Sequence, residues 1–155
     1  MKVGFKGLAG VDMIDYYTLA TEFRRKIEYA CESHRFSARD RMSRFPMGCC
    51  DDSTDLFANY LWQTCGIRSY RVDGVYFADN SEDSIWHTWL EVENVIIDLT
   101  ADQFPDYESM YVGKADSFHQ KFEVHSREFY RGFLDLSENC WSRMQDCYDA
   151  IIAQD

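Results

Sequence analysis

The chain has 155 residues, 46% of them hydrophobic, which suits one domain with a core of its own. A formal net charge of −11 opposes binding to phosphate backbones and argues against a nucleic-acid partner. No run approaches the roughly 18 apolar residues that a membrane span requires.

The opening Met1–Gly10 makes a poor signal peptide, because Lys6 interrupts its apolar run and Asp12 and Asp15 follow closely. The expectation is a single cytoplasmic domain over residues 1–155. Its six cysteines (31, 49, 50, 65, 140, 147) would then stay reduced. From Asp15 to His34, Tyr16, Leu19, Ala20, Phe23, Ile27 and Ala30 recur at spacings of three and four and predict an amphipathic helix. Arg35 to Pro46 has no sustained period and reads as a connection, its four arginines (35, 39, 41, 44) balancing Asp40, Asp51 and Asp52. A second helix is predicted over Cys50–Cys65 from the spacing of Leu56, Phe57, Tyr60 and Leu61, with Gly66 as its C-terminal cap.

Beyond Gly66 the pattern turns to strand. Ile67–Phe77, Ser84–Val92 and Val95–Leu99 predict an antiparallel meander, turned by the polar run Asp79–Asp83 and by Glu93-Asn94. Thr100–Lys114 is irregular, and Phe118–Tyr130 fits one or two short strands or a short helix. Ser137 is placed to cap a final helix with Trp141, Met144, Tyr148 and Ile151 on one face and Leu136 stapled against Trp141.

A thiol nucleophile needs a lowered pKa, which a helix N-terminus and a nearby imidazolium both favour. Cys50 opens the second helix and His87 lies in a strand, so the two residue types and their places suit nucleophilic catalysis. The imidazole also needs an orienting partner. With Glu93-Asn94 as a two-residue loop, paired residues sum to 187, which sets Asp98 opposite Trp89, on the same face as His87 and one diagonal step away.

Gly48-Cys49-Cys50 at a helix start, His87-Thr88-Trp89 in one strand and Asp98-Leu99-Thr100 in the next resemble the transglutaminase-like branch of the papain-like superfamily, over Phe45 to Phe104. The resemblance implies an α+β fold with a papain-like core, the nucleophile helix packed on a small antiparallel sheet. It also implies a Cys50–His87–Asp98 triad acting by acyl transfer through a thioester, as an amide hydrolase, deamidase or transamidase on a protein or peptide. Neither a cofactor nor a metal is expected. The Gln that papain-type enzymes often place upstream of the nucleophile, as an oxyanion donor, has no counterpart before Cys50.

Rival readings attach to several residues. Cys49 competes with Cys50 for the nucleophile position, and the charges of Asp51 and Asp52 would raise a nearby thiol pKa. Trp86 and Trp89 read as packing residues on opposite strand faces. Thr100 and Gln103 are candidates to brace Asp98 or line a cleft. His119 and His125 read as surface or core histidines. Cys31-x-x-His34 lacks the second ligand pair that a zinc site needs. The alternative function is a catalytically weak or inactive papain-like domain that binds a peptide or protein partner.

Overall fold

Asp15 starts the first helix, α1 (Tyr16–Glu32), by accepting the Thr18 N–H on its carboxylate, which satisfies one of the free amides of a helix start. The computed structural model in which this is seen describes residues 5–8, 11–78, 82–130, 133 and 136–154. The predicted apolar face is the buried one: Tyr16, Leu19, Ala20, Phe23, Ile27 and Ala30 all face the core. Ahead of α1 lies a hairpin that the sequence reading missed, β1 (Phe5–Leu8) with β2 (Val11–Ile14).

The connection after α1 holds one 3-10 turn, Arg41–Arg44, and leads to α2 (Cys50–Cys65), whose bounds are the predicted ones. Gly66 caps α2 in the left-handed conformation. Then follow β3 (Ser69–Phe77), β4 (Ser84–Val92) and β5 (Val95–Asp98), the expected meander. Glu93 and Asn94 both take positive φ, so the turn is a tight two-residue one, and the pairs Leu90↔Ile97, Glu91↔Ile96 and Val92↔Val95 keep the predicted sum of 187. The Asp79–Asp83 turn lies mostly outside the described residues.

The irregular stretch contains a strand that had not been predicted, β6 (Tyr111–Gly113), which adds to β5. A four-residue helix, α3 (Ser117–Gln120), precedes β7 (Glu123–Tyr130), which crosses to the far edge beside β3. The result is a mixed α+β fold with a five-stranded antiparallel sheet ordered β6-β5-β4-β3-β7. Among the described residues no helix is long and apolar enough to cross a membrane.

Strand alternation divides the core in two. Leu90, Val92, Ile97 and Leu99 point to the layer of α1, α2 and the last helix, α4 (Glu138–Ile152), where Phe23, Phe57 and Tyr60 pack ring on ring. Val72, Trp89 and Ile96 point the other way, into a cluster closed by Phe118 and Phe122, with Phe104, Tyr107 and Tyr111 around it. Residues 104–122 therefore cover the second sheet face, and that face carries His87 and Asp98.

Three expectations change. In α4, Met144, Tyr148 and Ile151 are buried as predicted, but Trp141 is half-exposed and Leu136 packs against the main core instead. Ser137 occupies the N-cap position with no side-chain cap bond. Trp86 is not a packing residue of the interior: its ring is half-exposed and meets His125 edge-on.

Gly74 pairs with His87 across β3 and β4, at a register shift against β7. A Cβ built there would stand 2.7 Å from Phe122 Cβ and 2.9 Å from the Trp89 ring, so the second cluster closes over a position that must lack a side chain. Gly74→Ala is expected to destabilise the fold by about 1–3 kcal/mol through overpacking, seen as a lower urea midpoint at unchanged slope.

Candidate active site

Gly48 turns the chain into α2 with φ of +69°, a conformation that favours glycine over residues with a side chain. Gln103, in the short turn after β5, donates to the Pro46 carbonyl at 2.5 Å. The loop before α2 is therefore fastened to the segment that follows Asp98. Gln103 braces the loop before α2 rather than the carboxylate.

Of the two cysteines at this turn, Cys49 is fully buried and its thiol donates to the Arg41 and Met47 carbonyls. Burial first, and then the charge of Asp52, push that thiol up to about 12. A thiol held protonated between two carbonyls is a structural group. Cys50, the first residue of α2, is partly exposed.

The acidic first turn of α2 does not stand uncompensated. Asp52 is buried and accepts from Arg41 Nε at 2.7 Å and from Arg143 of α4 at 2.6 and 3.1 Å. Asp51 accepts from Arg71 of β3 at 2.9 Å and from the Thr88 hydroxyl at 2.8 Å. The sequence predicts Arg35, Arg39, Arg41 and Arg44 in this role. Arg41 alone of these pairs with Asp52, and Arg143 takes Asp40 as well. Arg71 and Arg143 come from strand and helix positions distant in sequence.

His87 is 1% exposed and donates from Nε2 to Asp98 Oδ2 at 2.7 Å. Its other nitrogen, Nδ1, has no hydrogen bond of ordinary geometry among the described residues. The Cys50 thiol is close enough to interact with the ring. Burial opposes a charge on His87, but its hydrogen bonds and attraction to Asp98 and Cys50 prevail, and the imidazole is raised from 6.5 to about 9. Phe104 stands edge-on to the ring, with centroids 4.9 Å apart, and Trp89 and Phe122 flank it. Trp89 is thus the buried packing residue expected, and it stands beside His87.

Asp98 is also 1% exposed. A carboxylate taken out of water needs donors, and it has three: His87 Nε2, the Thr100 backbone N–H at 3.2 Å on Oδ1, and His119 Nε2 at 2.8 Å on Oδ2. Burial works against its ionisation, yet the two imidazoles hold its pKa below the ordinary carboxylate value. Thr100 braces Asp98 as anticipated, through its backbone. His119 is the residue the sequence reading missed. Its signal was present in Asp116-Ser-Phe-His119, where an N-cap aspartate and the third helical residue meet by capping geometry.

Cys50, His87 and Asp98 are therefore brought together, with the half-buried thiol as the accessible end of a buried chain of polar groups. Other candidates lie elsewhere. Cys31 donates to the Ser43 carbonyl and His34 is exposed. Among the described residues no group of three or more His, Cys, Asp or Glu side chains is arranged to hold a metal ion.

The raised His87 pKa has a signed consequence for stability. The unfolded imidazole titrates near 6.5 and the folded one at about 9, so its stabilising contribution is complete below about pH 6.5 and is lost as pH rises through about 9. Urea unfolding should show the stability gap between wild type and His87→Gln to be widest near pH 6 and narrowed by about pH 10. A gap independent of pH would contradict the assignment.

No family model matches the chain, and no solved structure matches it. Among curated proteins it is similar to "Uncharacterized protein YuaU" of Escherichia coli (strain UTI89 / UPEC), with 28% identity over 101 residues, which cover 64% of this chain and 47% of that protein. The chain spans about half the length of the curated relative it matches.

Proposed function

We propose that the protein is a cysteine-dependent acyl-transfer enzyme with a transglutaminase-like, papain-like core, in which Cys50 is the nucleophile, His87 the base and acid, and Asp98 the orienting group. The observation that carries this reading is the buried His87 ring. Its Nε2 is committed to Asp98, while Nδ1 is left without a conventional partner beside the one partly exposed thiol at the head of a helix.

The chemistry follows from that order of groups. Proton transfer from Cys50 to His87 gives a thiolate–imidazolium pair, stabilised by Asp98 on one side and the α2 N-terminus on the other. The thiolate adds to the carbonyl carbon of an amide or ester. The tetrahedral intermediate collapses as the imidazolium gives its proton to the departing amine or alcohol, leaving a thioester on Cys50. Neutral His87 then takes a proton from water or an amine, which attacks the thioester. The thiol is regenerated, and the product is an acid in hydrolysis and deamidation or a new amide in transamidation. The pairing of Asp51 and Asp52 with arginines supports this role, because it offsets much of the negative charge at the head of α2.

Alkylation by iodoacetamide, followed at each cysteine by peptide mass spectrometry, tests the reading. Cys50 is expected to react at mildly acidic pH, where the exposed Cys140 does not, and His87→Ala is expected to slow it by about 100-fold or more. Cys50→Ala should abolish this fast labelling. Equal reactivity of Cys50 and Cys140, unchanged by His87→Ala, would favour the alternative, a papain-like domain that binds a peptide without chemistry.

A further inference from the structure

Asp98 serves two imidazoles, not one. His87 Nε2 and His119 Nε2 both reach the same oxygen, Oδ2, at 2.7 and 2.8 Å, while Oδ1 takes the Thr100 N–H. His119 is buried with Asp98 and His87, at 3% exposure, so their meeting is an interior arrangement rather than a surface contact. With donors on both oxygens the carboxylate has one allowed orientation, and that orientation holds the His87 ring.

His119 is itself fixed from behind. Asp116 Oδ1 accepts both the backbone N–H of His119, at 2.9 Å, and its ring Nδ1, at 2.7 Å. The other Asp116 oxygen accepts the Tyr107 hydroxyl. Tyr111 stacks on the imidazole with centroids 5.3 Å apart, and Trp89 meets it edge-on at 5.1 Å. The groups able to carry charge or a proton that face His119 are thus Asp98 from β5, Asp116 ahead of α3, Tyr107 and Tyr111. Those facing His87 are Asp98 and Cys50. A ring clamped by an aspartate on Nδ1 presents Nε2 in one direction, as an orienting carboxylate does for a catalytic histidine.

We infer that His119 is a positioning residue of the thiol site. Held by Asp116 and Tyr107, it donates from Nε2 to Asp98 and so keeps that carboxylate ionised and aimed at His87. The role rests on the acyl-transfer reading above, and it extends the polar chain to Cys50, His87, Asp98, His119, Asp116 and Tyr107. In a site this dry, loss of the His119 donor leaves Asp98 with two partners and a stronger drive to rotate or take up a proton. Either change loosens its hold on the His87 Nε2–H, and the effect reaches Cys50 without His119 touching the thiol or its substrate. The direction of the Asp98 shift agrees, since the His119 hydrogen bond leads the interactions that oppose the penalty of burial.

Two amide variants separate this role from simple packing. The amide nitrogen of Gln sits where Nε2 does, and that of Asn sits where Nδ1 does. His119→Gln therefore keeps the donor to Asp98 and loses the one to Asp116, while His119→Asn does the reverse. Both remove the same ring. In the full chain, with Cys50 alkylation followed against pH, His119→Gln is expected to stay within about threefold of wild type with the same profile. His119→Asn is expected to be slower by about tenfold or more, with a displaced midpoint. Asn and Gln variants that behave alike, with Cys50 reactive in the wild type, would overturn the role of His119 alone. A wild-type Cys50 no more reactive than Cys140 would overturn the acyl-transfer reading and this role with it. If either variant fails to fold, nitrogen-15 NMR of the wild-type imidazoles decides: a His119 Nε2 that carries a proton hydrogen-bonded to carboxylate near neutral pH is expected, and an unprotonated Nε2 overturns the inference.

Discussion

One buried carboxylate organises this molecule. Asp98 ends β5 on the face of the sheet turned away from α1, α2 and α4, where almost no water reaches it. A charge in that place is tolerable only with several donors, and the chain supplies them from three places: His87 on the neighbouring strand, Thr100 in the turn that follows, and His119 beyond the next strand. The aromatic cover of Phe104, Tyr107, Phe118 and Phe122 excludes water from the same face. Low polarity strengthens each of these hydrogen bonds and makes the loss of any one of them expensive.

The head of α2 is set by a second group of charges. Asp51, Asp52 and Asp55 would repel one another and destabilise a nearby thiolate if left alone. Arg71 of β3 holds Asp51 and Asp55 of α2 and also pairs with Asp73 on its own strand, while Arg143 clamps Asp52 and Asp40 from α4. Burial still raises Asp55 to about 6 despite Arg71. α4 therefore contributes to the candidate site by fixing where α2 begins. This function is not apparent from its amphipathic pattern alone.

The legible parts of the sequence were those set by neighbours along the chain. Helical spacing gave α1 its buried face and α2 its bounds, and the Glu93-Asn94 turn gave the hairpin register that puts His87 and Asp98 on one face. Interactions at long sequence separation were not legible. The Asp116–His119 cap is local, but nothing local shows that the ring meets Asp98 until β6 and α3 fold back over the sheet, and one of the two arginines that hold Asp52 lies 91 residues away. Trp141 was misplaced because helical period fixes which residues share a stripe but not its edges, and the α4 stripe is narrower than drawn. β6 went unseen because three residues carry too little alternation to announce a strand.

In the proposed function, Cys50 accepts an acyl group under the control of His87 and Asp98. Intact-protein mass spectrometry after brief exposure to a nitrophenyl acyl ester tests it directly. A single acyl adduct on Cys50 is expected, released by hydroxylamine as a thioester should be, accompanied by a burst of nitrophenol and absent in Cys50→Ser and His87→Ala. An adduct that forms equally on Cys140, or that persists when His87 is replaced, would contradict it.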